Sequence, residues 1–365
     1  MKNLNSRISR SCHWISLILF IQSCASHVFA IAYCPSGCLC SLVHDVNLDV
    51  KCENIGLTNI SYNIPRNASY LALKKNSIER ICNNSWQGFD RLLFLDFSEN
   101  LISSINKTTF SNLSSTLRYL YIDNNKIYSI AAGAFHTLTK LIALTLNFNR
   151  LKEIKQGMFD RLPVLNHLSL SNNQLGLRAV KNVTKHDLRY LRKLYLHINV
   201  IEMITEDLFF GMERLDDLDL GFNKISHIDE NGFRGLGRVA WLRLRDNPFK
   251  KLVFTGMTSL IYIDASQTPY LTIDASTFIN TSQLTEINFI QSGFTDIPNN
   301  TFLPLGNVRY VHLSGIKMSE FKPGTFRGLK KCMKLDIRHM YLTRITNETF
   351  SYLEERLIVL YAFSF

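Results

Sequence analysis

Two stretches whose first residues lie 24 apart decide the fold: Leu117-Arg-Tyr-Leu-Tyr-Ile-Asp-Asn-Asn-Lys-Ile127 and Leu141-Ile-Ala-Leu-Thr-Leu-Asn-Phe-Asn-Arg-Leu151. Both carry apolar residues at positions 1, 4, 6 and 11 and an asparagine at position 9. Related stretches recur through the 365-residue chain, mostly at 24-residue steps, and begin at Ala68, Leu92, Leu117, Leu141, Leu165, Leu191, Leu215, Val239, Leu260, Leu284, Val308, Cys332 and Leu357. A fixed period of this length predicts a solenoid in which each coil stacks on its neighbours.

The spacing assigns a structural role to most repeat positions. Positions 1, 4 and 6 point inward from a short strand, and the asparagine is expected to hydrogen-bond buried backbone groups of the next coil. It stands at Asn76, Asn100, Asn125, Asn149, Asn173, Asn199, Asn223 and Asn247. A ring at position 19 is expected to stack on its neighbours, at Trp86, Phe110, Phe135, Phe159, Phe209, Phe233, Phe278, Phe302, Phe326 and Phe350. The predicted fold is an α/β-type leucine-rich-repeat solenoid, a horseshoe of about 13 repeats of ~24 residues, with a parallel concave sheet and short helical or irregular convex segments.

Two departures from the pattern predict local changes. After Asn247, position 9 is occupied by Thr268, Ser292, Ile316 and Met340, so we expect altered curvature or twist from about residue 260 onward. The long repeat 165–190 lacks the position 19 ring and contains the polar run 181–187, which predicts a bulged loop.

The first residues have the pattern of a secretory signal. Three positive charges, at Lys2, Arg7 and Arg10, precede the apolar run 14–21 and small-residue cleavage patterns that end at Ala30 and Ala32. The run is too short for a membrane span, which needs roughly 20 residues. We therefore predict three segments: a signal peptide over 1–32, a cysteine-rich cap over 33–67 and repeats over 68–365.

Cysteines and sequons also indicate an oxidising, extracytoplasmic location, secreted or on the extracellular face of the cell surface. Four cysteines cluster after the signal, at Cys34, Cys38, Cys40 and Cys52; they permit three disulfide connectivities, and a zinc site is the alternative. Two more cysteines follow: Cys332 is expected to be a buried structural thiol, and Cys82 a thiol just outside the core, free or intermolecular. Nine Asn-x-Ser/Thr sequons predict glycosylation, at Asn59, Asn67, Asn83, Asn106, Asn112, Asn182, Asn280, Asn299 and Asn347.

The segment Cys34-Pro-Ser-Gly-Cys38-Leu-Cys40, followed by Cys52, resembles the N-terminal cap of extracellular leucine-rich-repeat proteins. The resemblance implies the disulfides Cys34–Cys40 and Cys38–Cys52. The lapsing asparagine series and the irregular repeat lengths look most like a Toll-like receptor ectodomain, which implies pattern recognition in innate immunity. The last repeat reaches Phe365 without a closing cysteine cluster, so we expect the N-terminal part of a longer protein or a truncated product.

Composition and motifs favour binding over catalysis. A 46% hydrophobic content suits a buried core, and the formal charge of +11 is mild enough that no specific nucleic-acid ligand is expected. The chain contains neither an H-E-x-x-H nor a G-x-S-x-G motif, and a catalytic metal, a cofactor and an enzyme activity are not expected. We expect no membrane span within this chain.

The concave face is the predicted binding surface, because solvated strands do not require so many rings and charges. Its candidate residues are Tyr119, Tyr121, Lys193, Tyr195, His197, Asp217, Asp219, Trp241, Arg243, Arg245, Tyr262, Tyr310 and His312. Two interpretations of the charges stay open: contact with a ligand, or pairing between neighbouring strands. His167, His197 and His312 suggest a pH response near pH 6.

A protein, glycan or microbial ligand is the expected partner, and a homo- or heterodimer is also open. The sequons support the concave location, because none falls on strand positions 1 to 10. The alternative to an immune receptor is an adhesion, guidance or matrix leucine-rich-repeat protein, or a hormone-receptor ectodomain.

Overall fold

The computed structural model describes residues 34–44, 47–60, 63–113, 116–184, 188–206, 208–346, 348–353 and 357–362. The predicted signal peptide 1–32 and the sequon asparagine Asn347 lie outside these ranges. Within them, no helix is long and apolar enough to cross a lipid bilayer.

One long sheet runs through the described chain, as the 24-residue period predicts. Most of its strands have three residues with a buried central side chain, as Leu194 is buried between Lys193 and Tyr195. The fifteen strands follow chain order: β1 (Leu39–Val43), β2 (Asn47–Lys51), β3 (Ala68–Ala72), β4 (Phe94–Asp96), β6 (Tyr119–Tyr121), β8 (Ala143–Thr145), β9 (His167–Ser169), β10 (Lys193–Tyr195), β12 (Asp217–Asp219), β14 (Trp241–Arg243), β15 (Tyr262–Asp264), β16 (Glu286–Asn288), β17 (Tyr310–His312), β18 (Lys334–Asp336) and β19 (Val359–Tyr361).

From β2 onward every neighbouring pair in this sheet is parallel, and equivalent repeat positions face each other. Two small parallel pairs form beside it: β5 (Ser104–Ile105) with β7 (Ser129–Ile130), and β11 (Met203–Ile204) with β13 (His227–Ile228). Side chains at the same repeat position therefore form rows across the coils. The predicted repeat solenoid is confirmed.

The position 9 asparagines form a hydrogen-bonded ladder, but their partners differ from the prediction. Asn100 donates from Nδ2 to the carbonyl oxygens of Leu73 (2.9 Å) and Phe97 (3.0 Å), and its Oδ1 accepts from the backbone N–H of Ile78 (3.0 Å). The coil that supplies Leu73 and Ile78 is the preceding one, not the next. The reason is that the turn after each strand places the asparagine side-chain amide against the preceding coil.

The position 19 rings stack at centroid distances near 6 Å, for example 5.9 Å for Phe110 with Phe135 and 6.2 Å for Phe135 with Phe159. Phe254 joins the row through the short repeat, at 6.1 Å from Phe278. Such stacked rings bind each coil to the next through buried apolar area.

The prediction of a bulged loop over 181–187 is wrong for its first four residues. Helix α1 (Leu177–Thr184) occupies this part of the long repeat, and Val183 stands fully buried at position 19 in place of a ring. Ala179 and Val180 pack beside it, so an apolar stripe at helical spacing outweighs the polar residues between them. Residues 185–187 lie outside the described ranges. A 3-10 turn, Asn83–Trp86, is the other helical segment of the described chain.

The N-terminal cap is a β1–β2 hairpin whose strand β2 adds to the sheet beside β3. Two disulfides close it, Cys34–Cys40 and Cys38–Cys52, the pairs that the resemblance implied. Leu48, Val50 and Cys52 turn inward and are buried against the first coil. The cap thereby covers apolar surface that an open solenoid end would expose.

Candidate binding site on the concave sheet

The concave face consists of the side chains at positions 3, 5, 7 and 8, which point away from the core along β3 to β19. Its first part carries four rings, which we call the front aromatic cluster: Tyr70, Phe94, Tyr119 and Tyr121. Tyr70 and Phe94 stack at 4.3 Å between centroids, and Phe94 lies 5.0 Å from Tyr121. Tyr70, Phe94 and Tyr119 occupy position 3 of adjacent strands, and Tyr121 follows at position 5 of its strand. The four rings therefore form one continuous aromatic surface.

The face becomes smaller and more polar at β8 and β9. Thr145 Oγ1 and the backbone N–H of Asn147 donate to Asp123, at 2.8 and 2.6 Å, and Ser169 Oγ donates to Asn147 Oδ1 at 2.5 Å. Burial raises the pKa of Asp123, an effect that these donated hydrogen bonds partly offset. These short side chains hydrogen-bond to one another. The surface is therefore lower here than beside the larger rings on either side.

The charges of the middle coils pair across strands. Arg243 Nη1 lies 2.6 Å from Asp217 Oδ1, and Tyr195 donates its hydroxyl to Asp217 Oδ2 at 2.9 Å. Burial, together with the hydrogen bond to Asp217, raises the pKa of Tyr195 to about 12. Of the two interpretations left open by the sequence, this pairing favours the structural one for these charges.

Of the three concave histidines, His167 differs from the predicted pH sensor, and the prediction for His197 and His312 stays a prediction. His197 Nδ1 lies 2.8 Å from Ser171 Oγ and 3.5 Å from Asp219, and His312 lies 3.3 Å from Glu286. Burial lowers the pKa of His167, and the nearby Lys193 lowers it further. His167 therefore gains its charge at lower pH than the prediction requires.

Three predicted rings remain substantially exposed on the described face. The exposed fraction is 37% for Tyr119, 44% for Trp241 and 37% for Tyr310. Trp241 lies 5.5 Å from Tyr262, which is half-buried. Lys193 and Arg245 are exposed as well, and Arg245 donates to Gln267 Oε1 at 2.9 Å. Exposed rings beside partly satisfied charges are typical of protein recognition surfaces.

The candidate residues predicted from the sequence did not include those at position 8, which add three exposed apolar side chains to the same face. Phe148, Ile198 and Phe222 are 53%, 44% and 40% exposed, and their φ angles are 52°, 52° and 53°. Positive φ is costly for bulky and β-branched residues, and polar residues such as Asn124 and Asn172 take this position in neighbouring coils. The sequence feature that could have identified these residues is an apolar residue directly before a ladder asparagine, here Asn149, Asn199 or Asn223.

The described sequon asparagines lie off the concave face. Asn59, Asn67, Asn83, Asn106, Asn112, Asn280 and Asn299 are exposed. Asn182 is half-buried in α1, and its Nδ2 donates to the carbonyl oxygen of Ile154 at 2.7 Å. Bulky sugars at these positions would leave the concave face accessible.

The two remaining described cysteines are free thiols. Cys82 is exposed, whereas Cys332 is buried and its pKa is raised to about 11 by burial. Within the described ranges, no cluster of three or more His, Cys, Asp or Glu side chains is placed to hold a metal ion.

Two families of repeat sequences match the chain. The family described as "Leucine rich repeat" matches residues 115–175 and 189–249, and the family "BspA type Leucine rich repeat region (6 copies)" matches 247–359. A chain of the crystal structure of a TLR13–ssRNA13 complex superimposes with a TM-score of 0.47 and 18% identity, over 88% of this chain and 70% of that one.

Similar sequences include mouse keratocan, which is 31% identical over 62% of this chain and 62% of its own length. Mouse podocan is 26% identical over 86% of this chain and 50% of its own length. Tsukushi of Xenopus tropicalis is 28% identical over 63% of this chain and 67% of its own length. The chain thus spans between half and two thirds of these relatives.

The repeat families match more than half of the chain in total, and the cap carries the two disulfides expected of an extracellular member. The chain therefore belongs to the extracellular leucine-rich-repeat proteins with a cysteine-rich N-terminal cap.

Proposed function

We propose that this chain is a glycosylated, non-enzymatic binding protein of the extracellular matrix, and that its concave face holds a protein partner. Keratocan, podocan and tsukushi are small leucine-rich proteoglycans, and their similarity supports the matrix alternative better than the immune-receptor interpretation. The predicted segments 1–32, 33–67 and 68–365 and the nine sequons are part of this proposal.

One observation carries the assignment to the concave face. Phe148, Ile198 and Phe222 expose apolar side chains at positions with positive φ, a backbone conformation that asparagine adopts at lower cost. Each such residue costs of order 1–3 kcal/mol of backbone strain and gains little by burial. Phe222 offsets part of this cost through the Arg245 guanidinium, 5.1 Å from its ring centroid. Contact with a partner is the better explanation for the apolar surface that stays exposed.

The chemistry of the face favours a protein over a polyanion. Several of its charges are paired, as in Arg243 with Asp217 and Arg338 with Asp336. What remains available is aromatic and aliphatic surface around Trp241, with a few free donors such as Lys193. Interfaces between proteins use this combination of central rings and a polar rim.

The test is to immobilise the mature, glycosylated chain, incubate it with a soluble connective-tissue extract, and identify the retained proteins by mass spectrometry. For a retained protein, purified and titrated, we expect Phe222→Ala and Trp241→Ala each to weaken binding about tenfold or more, as central contacts do. Ile279→Ala is the matched control, because Ile279 is an apolar residue at least as exposed as Phe222 and Trp241 but lies at position 20 of its repeat.

An equal loss of affinity in Ile279→Ala, or no loss of affinity in either concave variant, would contradict the assignment of the binding site to the concave face. If microbial glycans rather than matrix proteins bind the concave face, the immune-receptor interpretation would replace the matrix one.

A further inference from the structure

A second surface, separate from the concave face, lies on the side of the solenoid where α1 meets the coil before it. We call it the basic cleft; its volume is about 1250 Å³. One wall is the segment 150–156 and the other is α1, while Ile154 and Ala179 form a buried floor. Pockets for small molecules measure ~300–1,000 Å³, so the cleft has room for an oligomer.

The local structure directs cationic side chains into this cleft from both walls. Arg150 and Lys152 flank the buried Leu151 on an extended segment and therefore point to the same side. Arg178 and Lys181 are three residues apart on α1 and share one helical face. The helix that replaced the predicted loop is thus what creates the second wall.

The cleft is positively charged and largely uncompensated. Five cations line it, Arg150, Lys152, Lys155, Arg178 and Lys181, against a single carboxylate, Glu153, which lies 3.8 Å from Lys155. The other four cations form no ion pair with any residue in the described part of the chain. Some cations elsewhere do have a carboxylate partner, as Arg192 has Asp216 and Lys322 has Asp296.

A second cavity provides a comparison within the same molecule. It measures about 470 Å³, and its lining mixes Glu206, Asp229 and Glu230 with Lys250 and Lys251. Like charges that converge without counter-charges repel one another, which costs stability unless an anion binds. The excess of positive charge in the larger cavity therefore indicates an anionic ligand, whereas the mixed charges of the smaller cavity do not.

We propose that the basic cleft binds a sulfated oligosaccharide. Gln156, Gln174 and the exposed ring of Tyr128 also line it, and these provide hydrogen bonds and a surface for a sugar ring. The apolar floor is buried, so the cleft offers none of the apolar pockets that anchor peptides. A single-stranded nucleic acid would need several stacking rings, whereas this lining has one.

The distribution of sequons is consistent with access to the cleft. Between Asn112 and Asn280 the chain has one sequon, Asn182, and its amide is held by the carbonyl oxygen of Ile154 in the cleft wall. The coils around the cleft thus carry fewer attachment sites than either end of the repeat array.

The experiment measures binding of a heparin-derived octasaccharide to the full mature chain by isothermal titration calorimetry at several salt concentrations. Arg178→Gln/Lys181→Gln should weaken binding about tenfold and reduce the slope of log K against log salt, as loss of ionic contacts does. Arg150→Gln/Lys152→Gln, on the opposite wall, should do the same and guards against an effect of a misfolded helix. Both results should hold in an Asn182→Gln background, which removes a glycan from the wall.

The matched control is Lys317→Gln/Lys330→Gln, which removes two exposed, unpaired cations on remote coils and should change affinity less than about twofold. Equal weakening in this control would overturn the proposal, as would absence of saturable binding. Equal affinity for the desulfated octasaccharide, or tighter binding of polyglutamate or an eight-nucleotide RNA, would also overturn it. Trp241→Ala should leave octasaccharide binding unchanged, so this proposal and the concave-face proposal fail separately.

Discussion

The coils that carry the asparagine ladder, Asn76 to Asn247, and the coils after them hold their neighbours in different ways. In the front coils one side chain satisfies three or four backbone groups; Asn125, for example, bonds the N–H of Ile102 and the carbonyl oxygens of Phe97 and Asp123. In the rear coils Thr268 and Ser292 both donate to the single carbonyl oxygen of Ala265, at 2.6 and 2.7 Å.

In the rear coils the backbones of two neighbouring turns lie very close together at Gly293. The N–H of Gly293 donates to the carbonyl oxygen of Thr268 at 2.9 Å, and a Cβ at Gly293 would lie 1.8 Å from the carbonyl oxygen of Pro269. Loss of the asparagine does not end the sheet, because the parallel strand pairing continues from β15 to β19. The predicted change of curvature or twist from about residue 260 stays a prediction.

The largest expected effect is on the ladder itself. Asn125→Ala should lower the free energy of unfolding by about 4 kcal/mol, because three buried backbone groups lose partners at roughly 1–3 kcal/mol each. The equivalent rear change, Thr268→Val, should cost about 1 kcal/mol, since it removes one hydroxyl. Urea unfolding followed by circular dichroism checks both, with the exposed Lys126→Ala as control. Equal losses at Asn125 and Thr268 would remove the distinction between the two regions.

The next effect tests the close approach in the rear coils. Gly293→Ala should lower the free energy of unfolding by about 3 kcal/mol, because the added methyl group overlaps backbone that cannot move independently. Gly306→Ala is the matched control: no atom lies within 4 Å of its added Cβ, and unfolding should change little. Thermal unfolding of both variants decides the matter, and a stable Gly293→Ala would show that the rear coils separate easily.

The smallest effect concerns two concave histidines, His167 at position 3 of its repeat and His312 at position 5. His312 in the rear lies beside Glu286, whereas the buried Nε2 of His167 has no hydrogen-bond partner and faces Lys193, Asp217 and the ring of Tyr195. Since the pKa of His167 is lowered by burial, the folded protein resists its protonation. The stability that the neutral ring contributes is present above the unfolded pKa of about 6.5 and is lost as pH falls through the lower folded value.

We therefore expect the melting temperature of the natural chain to fall more steeply below pH 6.5 than that of His167→Gln. Plotted against pH, the melting temperatures of the two proteins should run parallel at pH 7.5 and above. Parallel behaviour down to pH 4.5 would mean that His167 is protonated in the fold without cost, contrary to its burial.

The sequence by itself determined the repeat, the strand centres, the asparagine ladder and the stacked rings. Each follows from the period of 24 residues. A single coil cannot bury its own apolar side, so every coil carries the same inward-facing residues and packs on its neighbours. The cap disulfides also followed from the residues of the cap, through resemblance rather than spacing.

Tertiary structure alone decided which charges are paired and which are not. Asp217 lies 26 residues from Arg243 in the chain, and only the parallel register brings their side chains together. The same register exposed Phe148, Ile198 and Phe222, and helix α1, where a loop was predicted, built the second wall of the basic cleft. Repeat periodicity specifies what points inward, but contacts between side chains of different coils depend on how the coils are placed in space.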